Sequence, residues 1–513
     1  MRLTLSRISS SSCRPYTDTL LPQTADLKGK TIRGGLARLC AQAVYFLLRV
    51  GSLMILARLL GPKDFGLVGM VTAFTGVLTW FRDFGLSAAT IQRATVTEEQ
   101  ISTLFWINIL FGALFGLVAV AMAPVIAAFY HEPELLGVTA VLATGFLFNG
   151  AGVQHSALLQ RQMRFTALAV INVVSFIVGT AIAVVGAEAG YGYRALVAMS
   201  VTSPLIATIG FWLTTGWVPG MPHRRAGIRS MMHYGGISTL NGLVGYVAYN
   251  AEKVMIGRFW GADAIGIYGR AYQLVSIPTD NLNSAVAEVA FAALSRLQDD
   301  PIRFKRYFLK GFSFVLGLTL PIMTACVLFA DDVVFVVLGP KWKDTAAIVR
   351  LLGPTMAILA IIYPLGWLTY SLGLVTRCLK ISLVLAPLMI TGYAIGLPYG
   401  PKGVAFAYSA VMLLWVIPHI LWCVHGTPIS FRDILQAVRP PLVSGILAGA
   451  LAFGARLICG SFVPPVLRLG LETSVLFAAF FGVLLFAGGQ KSLYLDLLRG
   501  LKGPSLRSDP MLS

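Results

Sequence analysis

The sequence predicts an all-α polytopic membrane protein of about 14 transmembrane helices, arranged as two pseudo-symmetric bundles around a central cavity. Three observations lead there. Of the 513 residues 57% are hydrophobic and 12% charged, against roughly a quarter charged in a soluble domain. Apolar runs of spanning length recur along most of the chain. A segment early in the chain is repeated 200 residues later.

The mean hydropathy of +0.77 places most of the chain in lipid. Lipid offers no partner to backbone N–H and C=O groups, so a spanning segment must satisfy them internally as a helix of roughly 20 residues. Candidate runs lie at 37–60, 65–81, 101–128, 135–158, 166–187, 192–215, 231–251 and 264–294, then at 312–330, 346–373, 379–397, 402–424, 440–459 and 470–488. The expected organisation is a disordered N-terminal tail (1–30), an N-terminal helical bundle (31–222), a C-terminal helical bundle (223–430), two additional spans (431–490) and a C-terminal tail (491–513).

The net charge of +18 would suggest nucleic acid in a soluble protein. Here the cations are scattered in short connections between apolar runs, the pattern by which Lys and Arg orient a membrane protein and meet anionic lipid. Counted on alternate sides of the fourteen runs, 27 Lys and Arg fall on one side and 10 on the other. The richer side includes both tails, so both termini are expected in the cytoplasm, with the chain in the inner membrane. Membrane lipids are thus expected partners and nucleic acid is not. Six well-separated cysteines with no Cys-x-x-Cys pair predict neither a disulfide framework nor a metal site.

The repeat superimposes Arg58, Gly61, Gly66 and Gly69 on Arg258, Gly261, Gly266 and Gly269. Six spans separate the copies, so both enter the membrane in the same sense. Parallel repeats of this kind occur in transporters that rock two halves about a central site.

Ionisable groups inside spans are expensive and usually face a bundle interior or a wet cavity. Arg270, Gln273, Asp280, Asn281, Ser284 and Glu288 recur at three- or four-residue intervals on one helical face of 264–294. The run before it carries Tyr234, Ser238, Asn241, Tyr249 and Glu252 at the same spacing, followed by Lys253. In the first half Arg49 lies mid-helix and Arg82 with Asp83 closes the second run. Arg82, Lys253 and Arg258 sit near helix ends, where snorkelling to the headgroups and substrate contact are both open. Asp280, Glu288 and Glu252 are candidates for ion coupling, or in the case of Asp280 and Glu288 for counter-ions that position Arg270.

Such a cavity suits an amphiphile with an anionic head, such as a diphosphate carrying a polar glycan. Guanidinium forks bind phosphate oxygens bidentately, while Gln273, Asn241, Asn281 and Tyr249 offer hydrogen bonds to sugar hydroxyls. Arg49, Arg82, Lys253 and Arg270 are the candidate cations. The sequence holds no phosphate loop, nucleophile elbow or zinc-protease helix. No catalytic residue, cofactor or metal is therefore assigned.

ARLLGPKDFGLVGMV (Ala57 to Val71), FRDFGLSAATIQR (Phe81 to Arg93), TLFWIN (Thr103 to Asn108) and ALLQRQMRF (Ala157 to Phe165) resemble the polysaccharide transporter, or oligosaccharide flippase, family. GRAYQLVSIPTDNLNSAVAEVAFAALSRLQDD (Gly269 to Asp300) resembles that family's eighth-helix region, and LGPKW (Leu338 to Trp342) also fits. The similarity covers roughly residues 30–430. It departs at Ala292, where relatives often have proline. The resemblance implies the multidrug, oligosaccharidyl-lipid and polysaccharide exporter fold. It implies as substrate a polyprenyl-diphosphate-linked oligosaccharide repeat unit for exopolysaccharide or lipopolysaccharide, with the pathway's glycan polymerase and glycosyltransferases as candidate partners. It carries the family's cationic cavity over to Arg49 and Arg270 by their position within helices. Two alternatives are an ion-coupled multidrug exporter, which would prefer an anionic cavity, and a membrane glycan polymerase, which usually presents a long extracytoplasmic loop. The longest such stretch here is about Asp331 to Thr345.

Overall fold

The computed structural model describes residues 44–81, 90, 96–222, 229–459, 464–491 and 494. Among them no β-strand occurs, and the apolar runs fold as helices. In chain order these are α1 (44–59), α2 (Pro62–Phe81), α3 (Glu98–Tyr130), α4 (Glu134–Arg161), α5 (Phe165–Glu188) and α6 (Tyr193–Thr215). The continuous stretch Arg229–Ser295 breaks at Gly261 (φ 81°, ψ −174°) into α7 (229–260) and α8 (262–295). Then follow α9 (Pro301–Leu328), α10 (Ala330–Val337), α11 (Thr345–Ser371), α12 (Val375–Gly396), α13 (Gly400–Val424), α14 (Phe431–Cys459) and α15 (Pro465–Gly482). Nine helical segments among the described residues are long and apolar enough to cross a membrane.

Two stretches differ from the sequence expectation. α9 begins at Pro301, eleven residues before the apolar run at 312. Its first turns carry Arg303, Lys305, Arg306 and Lys310, which hydropathy reads as a connection, yet local chemistry starts a helix there. Pro301 occupies the first turn, where its missing N–H is not needed, and the Asp300 side chain accepts from the Arg303 N–H at 3.0 Å. Lys305 then pairs with Asp433 at the start of α14, 2.7 Å away. The second difference is Asp331 to Thr345, expected as a loop. It folds as the amphipathic helix α10 and a short turn of 3₁₀ helix, Pro340–Trp342. Eight residues are too few to register as a periodic run.

By chain contacts the molecule divides into two units. The first is Met1–Ser52 with Phe74–Leu243, and the second is Leu53–Ala73 with Val244–Ser513. In the first unit α3 packs on α4, α4 on α6 and α5 on α6. Gly112 and Gly150 let the first pair approach closely, since a Cβ on Gly150 would lie 2.6 Å from the Asn108 carbonyl oxygen and one on Gly112 2.7 Å from that of Phe146. Small residues at helix contacts do this commonly in membranes. In the second unit α11 and α12 pack on α13, α9 packs on α11 and α14, and α14 packs on α15.

α3 starts in a capping box. Thr97 Oγ1 accepts from the Gln100 N–H at 3.3 Å, and Gln100 Oε1 accepts from the Thr97 N–H at 3.2 Å. Thr97→Ala is expected to lower stability by about 1 kcal/mol, read as a lower thermal midpoint of the purified protein. Thr97→Ser should restore it.

Candidate substrate and coupling site

The polar stripes of the sequence fall on α7 and α8, joined through one residue at Gly261. Its positive φ is a conformation that glycine adopts without steric penalty. The chain therefore turns sharply from one helix into the next. The equivalent break in the earlier copy is at Gly61, whose N–H donates to Asp64 Oδ2 at 2.9 Å.

Within the second unit the two copies meet. A Cβ on Gly66 would overlap the carbonyl of Ala262, and a Cβ on Gly266 would overlap the carbonyl of Pro62. Pro62 and Ala262 are themselves 200 residues apart, so the contact is reciprocal: each copy offers its glycine to the other's first helical residue. The end of α1 is held beside this crossing. The fully buried Trp342 donates through Nε1 to the Ala57 carbonyl at 2.8 Å and packs edge-on against Phe65 at 5.5 Å. Lys341 Nζ donates to the Arg58 carbonyl at 3.2 Å, and Arg58 Nη2 donates to the Val336 carbonyl at 2.8 Å. The sequence motif LGPKW thus acts as a clasp, each side supplying the other's orphan helix-end carbonyls with a donor.

Arg270 lies half-buried on α8, with its guanidinium 3.9 Å from the centre of the Phe65 ring and a hydrogen bond to Gln273 Oε1. Stacking on an aromatic face and a bond to the neighbouring amide fix the plane of the guanidinium. On α7, Glu252 is fully buried, and neither carboxylate oxygen has a hydrogen-bond partner. It interacts electrostatically with Tyr246 of its own helix, Tyr268 and Tyr272 of α8, and Tyr393 of α12. Tyr393 packs edge-on against Tyr408 of α13 at 5.4 Å. Lys253 donates to Asn250 Oδ1 at 2.7 Å and lies 5.2 Å above the Tyr272 ring. A buried carboxylate without hydrogen-bond partners is expensive as an anion, and it can be relieved by a proton or a cation.

The structure therefore brings Glu252, Lys253 and Tyr249 of α7 into one region with the tyrosines of α8, α12 and α13, and joins Arg270 to Gln273. Asn281 donates an amide N–H to the Ile277 carbonyl of its own helix at 2.6 Å. Asp280 is exposed. Arg49 is exposed on α1, in the first unit. Arg82 and Asp83 lie outside the described residues, as do the side chains of Asn241 and Glu288. The tyrosines of α12 and α13 escaped sequence reasoning because a tyrosine in an apolar run looks like core. Tyr268 and Tyr272, four residues apart on the stripe helix, were the available signal.

These features define a multi-pass helical membrane protein with a polar interior in its second unit. Residues 55–347 match the family described as "Polysaccharide biosynthesis protein", and the chain belongs to that family. It is 27% identical over 397 residues to the teichuronic acid biosynthesis protein TuaB of Bacillus subtilis, covering 73% of this chain and 78% of that one. It is 24% identical over 391 residues to the lipopolysaccharide biosynthesis protein WzxC of Escherichia coli, covering 76% and 80%. Among solved structures, the lipid II flippase MurJ in an inward closed conformation is similar in fold. The TM-score is 0.69 at 12% identity, over 91% of this chain and 100% of that one.

Proposed function

We propose that this protein flips a polyprenyl-diphosphate-linked oligosaccharide repeat unit from the cytoplasmic to the outer leaflet by alternating access, for exopolysaccharide or lipopolysaccharide assembly. The observation that carries this reading is the coincidence of family and fold. Relatives named for teichuronic acid and lipopolysaccharide biosynthesis match about three-quarters of the chain, and the fold likeness to a lipid II flippase extends over nearly all of it. The reading is transport, not catalysis.

In this proposal fourteen spans form two bundles around a central cavity, with both termini cytoplasmic. Arg49 and Arg270 take the diphosphate, and Arg82 and Lys253 flank it. Gln273, Asn281, Tyr249 and Asn241 meet sugar hydroxyls, while the lipid tail stays in the bilayer. Glu252 is the foremost coupling group, with Asp280 and Glu288 as further candidates. It is fully buried, and neither of its carboxylate oxygens has a hydrogen-bond partner. The reciprocal glycine crossing and the Trp342 clasp close the extracytoplasmic side, and they open when the head is released.

The test is movement of a fluorescent polyprenyl-diphosphate oligosaccharide in proteoliposomes of the purified protein, with and without a proton or sodium gradient. Protein-dependent appearance in the far leaflet is expected, faster with a gradient. The buried carboxylate among aromatic rings also favours a second reading, an ion-coupled exporter of organic cations. Absence of glycolipid movement under every gradient, alongside efflux of a cationic dye, would establish that one instead.

The coupling assignment has its own expected result. Glu252→Gln should leave gradient-free exchange of the glycolipid near wild type while removing acceleration by the gradient. The comparison to make is initial rate with and without the gradient in both proteins, and equal acceleration of the two would exclude Glu252 as the coupling group.

A further inference from the structure

A groove in the second unit has no part in the proposed transport path. It runs between α9, α11 and α14, with a volume of about 580 Å³. Met323, Val327, Ala357, Gly445, Gly449 and Ala450 are among its walls, which are almost wholly apolar. Along α14 it extends from Pro441 to Phe453, about 18 Å at 1.5 Å per residue. That is a little over half of the roughly 30 Å hydrocarbon core. One end of the groove shares Val327, Leu328 and Phe453 with a second space of about 620 Å³, whose charged wall consists of Arg350, Arg456 and Arg468. An apolar slot of single-leaflet depth thus opens into a chamber headed by three guanidinium groups.

Each guanidinium is held by a carboxylate. Arg468 pairs with Asp332 and Arg350 with Asp331. Arg456 lies 3.5 Å from Asp332 and 3.9 Å from Glu472, and donates to the Leu328 carbonyl at 3.0 Å. Asp332 and Glu472 are buried, Asp331 is exposed beside Arg350 and 4.0 Å from Arg456, and none of the three is among the residues lining the chamber. The charges of the whole cluster balance, but the surface turned to the chamber carries guanidinium N–H donors and no carboxylate. A phosphate finds donors there, held in place without further loss of side-chain freedom. A choline or ethanolamine cation finds no counter-ion on that wall.

We infer that this groove is a binding site for an anionic phospholipid, one acyl chain in the slot between α9, α11 and α14 and the phosphate against Arg350, Arg456 and Arg468. In the orientation proposed above the lipid belongs to the outer leaflet. The site is distinct from the α7–α8 region where the transported head is proposed to bind.

The test uses the full-length protein in nanodiscs of phosphatidylcholine containing a minority of phosphatidylglycerol. After transfer to detergent, native mass spectrometry counts the lipids retained. Wild type is expected to keep one phosphatidylglycerol, with about a tenfold preference over phosphatidylcholine. Arg456→Gln should lose that preference, although it leaves Asp332 and Glu472 short of a counter-ion and could disturb folding. Ala450→Phe avoids that problem, because Ala450 is exposed and the ring fills the slot without displacing core. It should also lose the retained phosphatidylglycerol. Equal retention of the two lipids by wild type, or wild-type retention by Ala450→Phe, would overturn the inference. So would displacement of phosphatidylglycerol by added polyprenyl phosphate, which would assign the groove to the substrate's own tail.

Discussion

Arg270→Ala should reduce glycolipid flux in proteoliposomes by about 30-fold or more, with the protein still inserted at wild-type level. Truncating one partner of a desolvated charge pair removes roughly 2–5 kcal/mol, and each 1.36 kcal/mol is a factor of ten in rate. Arg270→Lys keeps the charge but loses the planar fork, so it should fall between the two. Arg49→Ala is expected to behave like Arg270→Ala. Arg432→Ala, at an exposed position in the first turn of α14, should change flux and stability little, within about 0.5 kcal/mol. Arg270 also stacks on Phe65, so a structural explanation of its loss must be separable. Phe65→Leu removes the stack and keeps the guanidinium. If Phe65→Leu is as inactive as Arg270→Ala, the arginine acts by holding α2 to α8. Equal flux in Arg270→Ala, Arg49→Ala and Arg432→Ala would remove the phosphate assignment altogether.

Gly66→Ala and Gly266→Ala should each be strongly deleterious, although Gly to Ala inside a helix ordinarily stabilises by about 1 kcal/mol. The sign reverses because the added methyl has to occupy the space of a backbone carbonyl. A backbone carbonyl cannot turn aside as a flexible side chain would. Overpacking of this kind typically destabilises by about 1–3 kcal/mol, which exceeds the propensity gain. The two substitutions strain the same crossing from opposite sides, so the double variant should be less than additive. Under the proposed role in outer closure, each variant should shift the population toward the outward-open state. An engineered cysteine on the cavity side of α8 would then react faster with an impermeant thiol reagent added outside. Wild-type reactivity in both variants would show that the crossing is structural packing only.

The helical nature of the chain and the placement of its helices were legible because lipid imposes one requirement on the backbone, and apolar runs report it directly. The start of α9 and the whole of α10 were not, because both are amphipathic surface helices whose polar residues resemble a connection. The 200-residue repeat was visible as four matching residues, and Gly66 and Gly266 meet each other's copy in the structure. Its physical meaning, a steric need for glycine at a crossing, could not be read from a spacing. The stripe on α8 marked Arg270 and Gln273 as neighbours, which a three-residue interval makes inevitable. Of the tyrosines around Glu252, Tyr393 and Tyr408 come from helices more than a hundred residues downstream. No local pattern announces them. The same holds for the cluster of Arg350, Arg456 and Arg468 with Asp331, Asp332 and Glu472. Its members are spread over the four helices α10, α11, α14 and α15, and each one alone reads as an interfacial charge.

The clasp at Trp342 bears on how the chain is made. The carbonyl of Ala57 is served by a donor 285 residues further along, and that of Arg58 by one 283 residues along. At about 5–20 residues per second of synthesis, roughly 14–60 s separate emergence of the first hairpin from emergence of the side chains that cap it. Throughout that interval the end of α1 must draw its hydrogen bonds from interfacial water. The first hairpin of this protein is therefore an unfinished element during most of translation, and a ribosome stalled anywhere before residue 342 leaves it so.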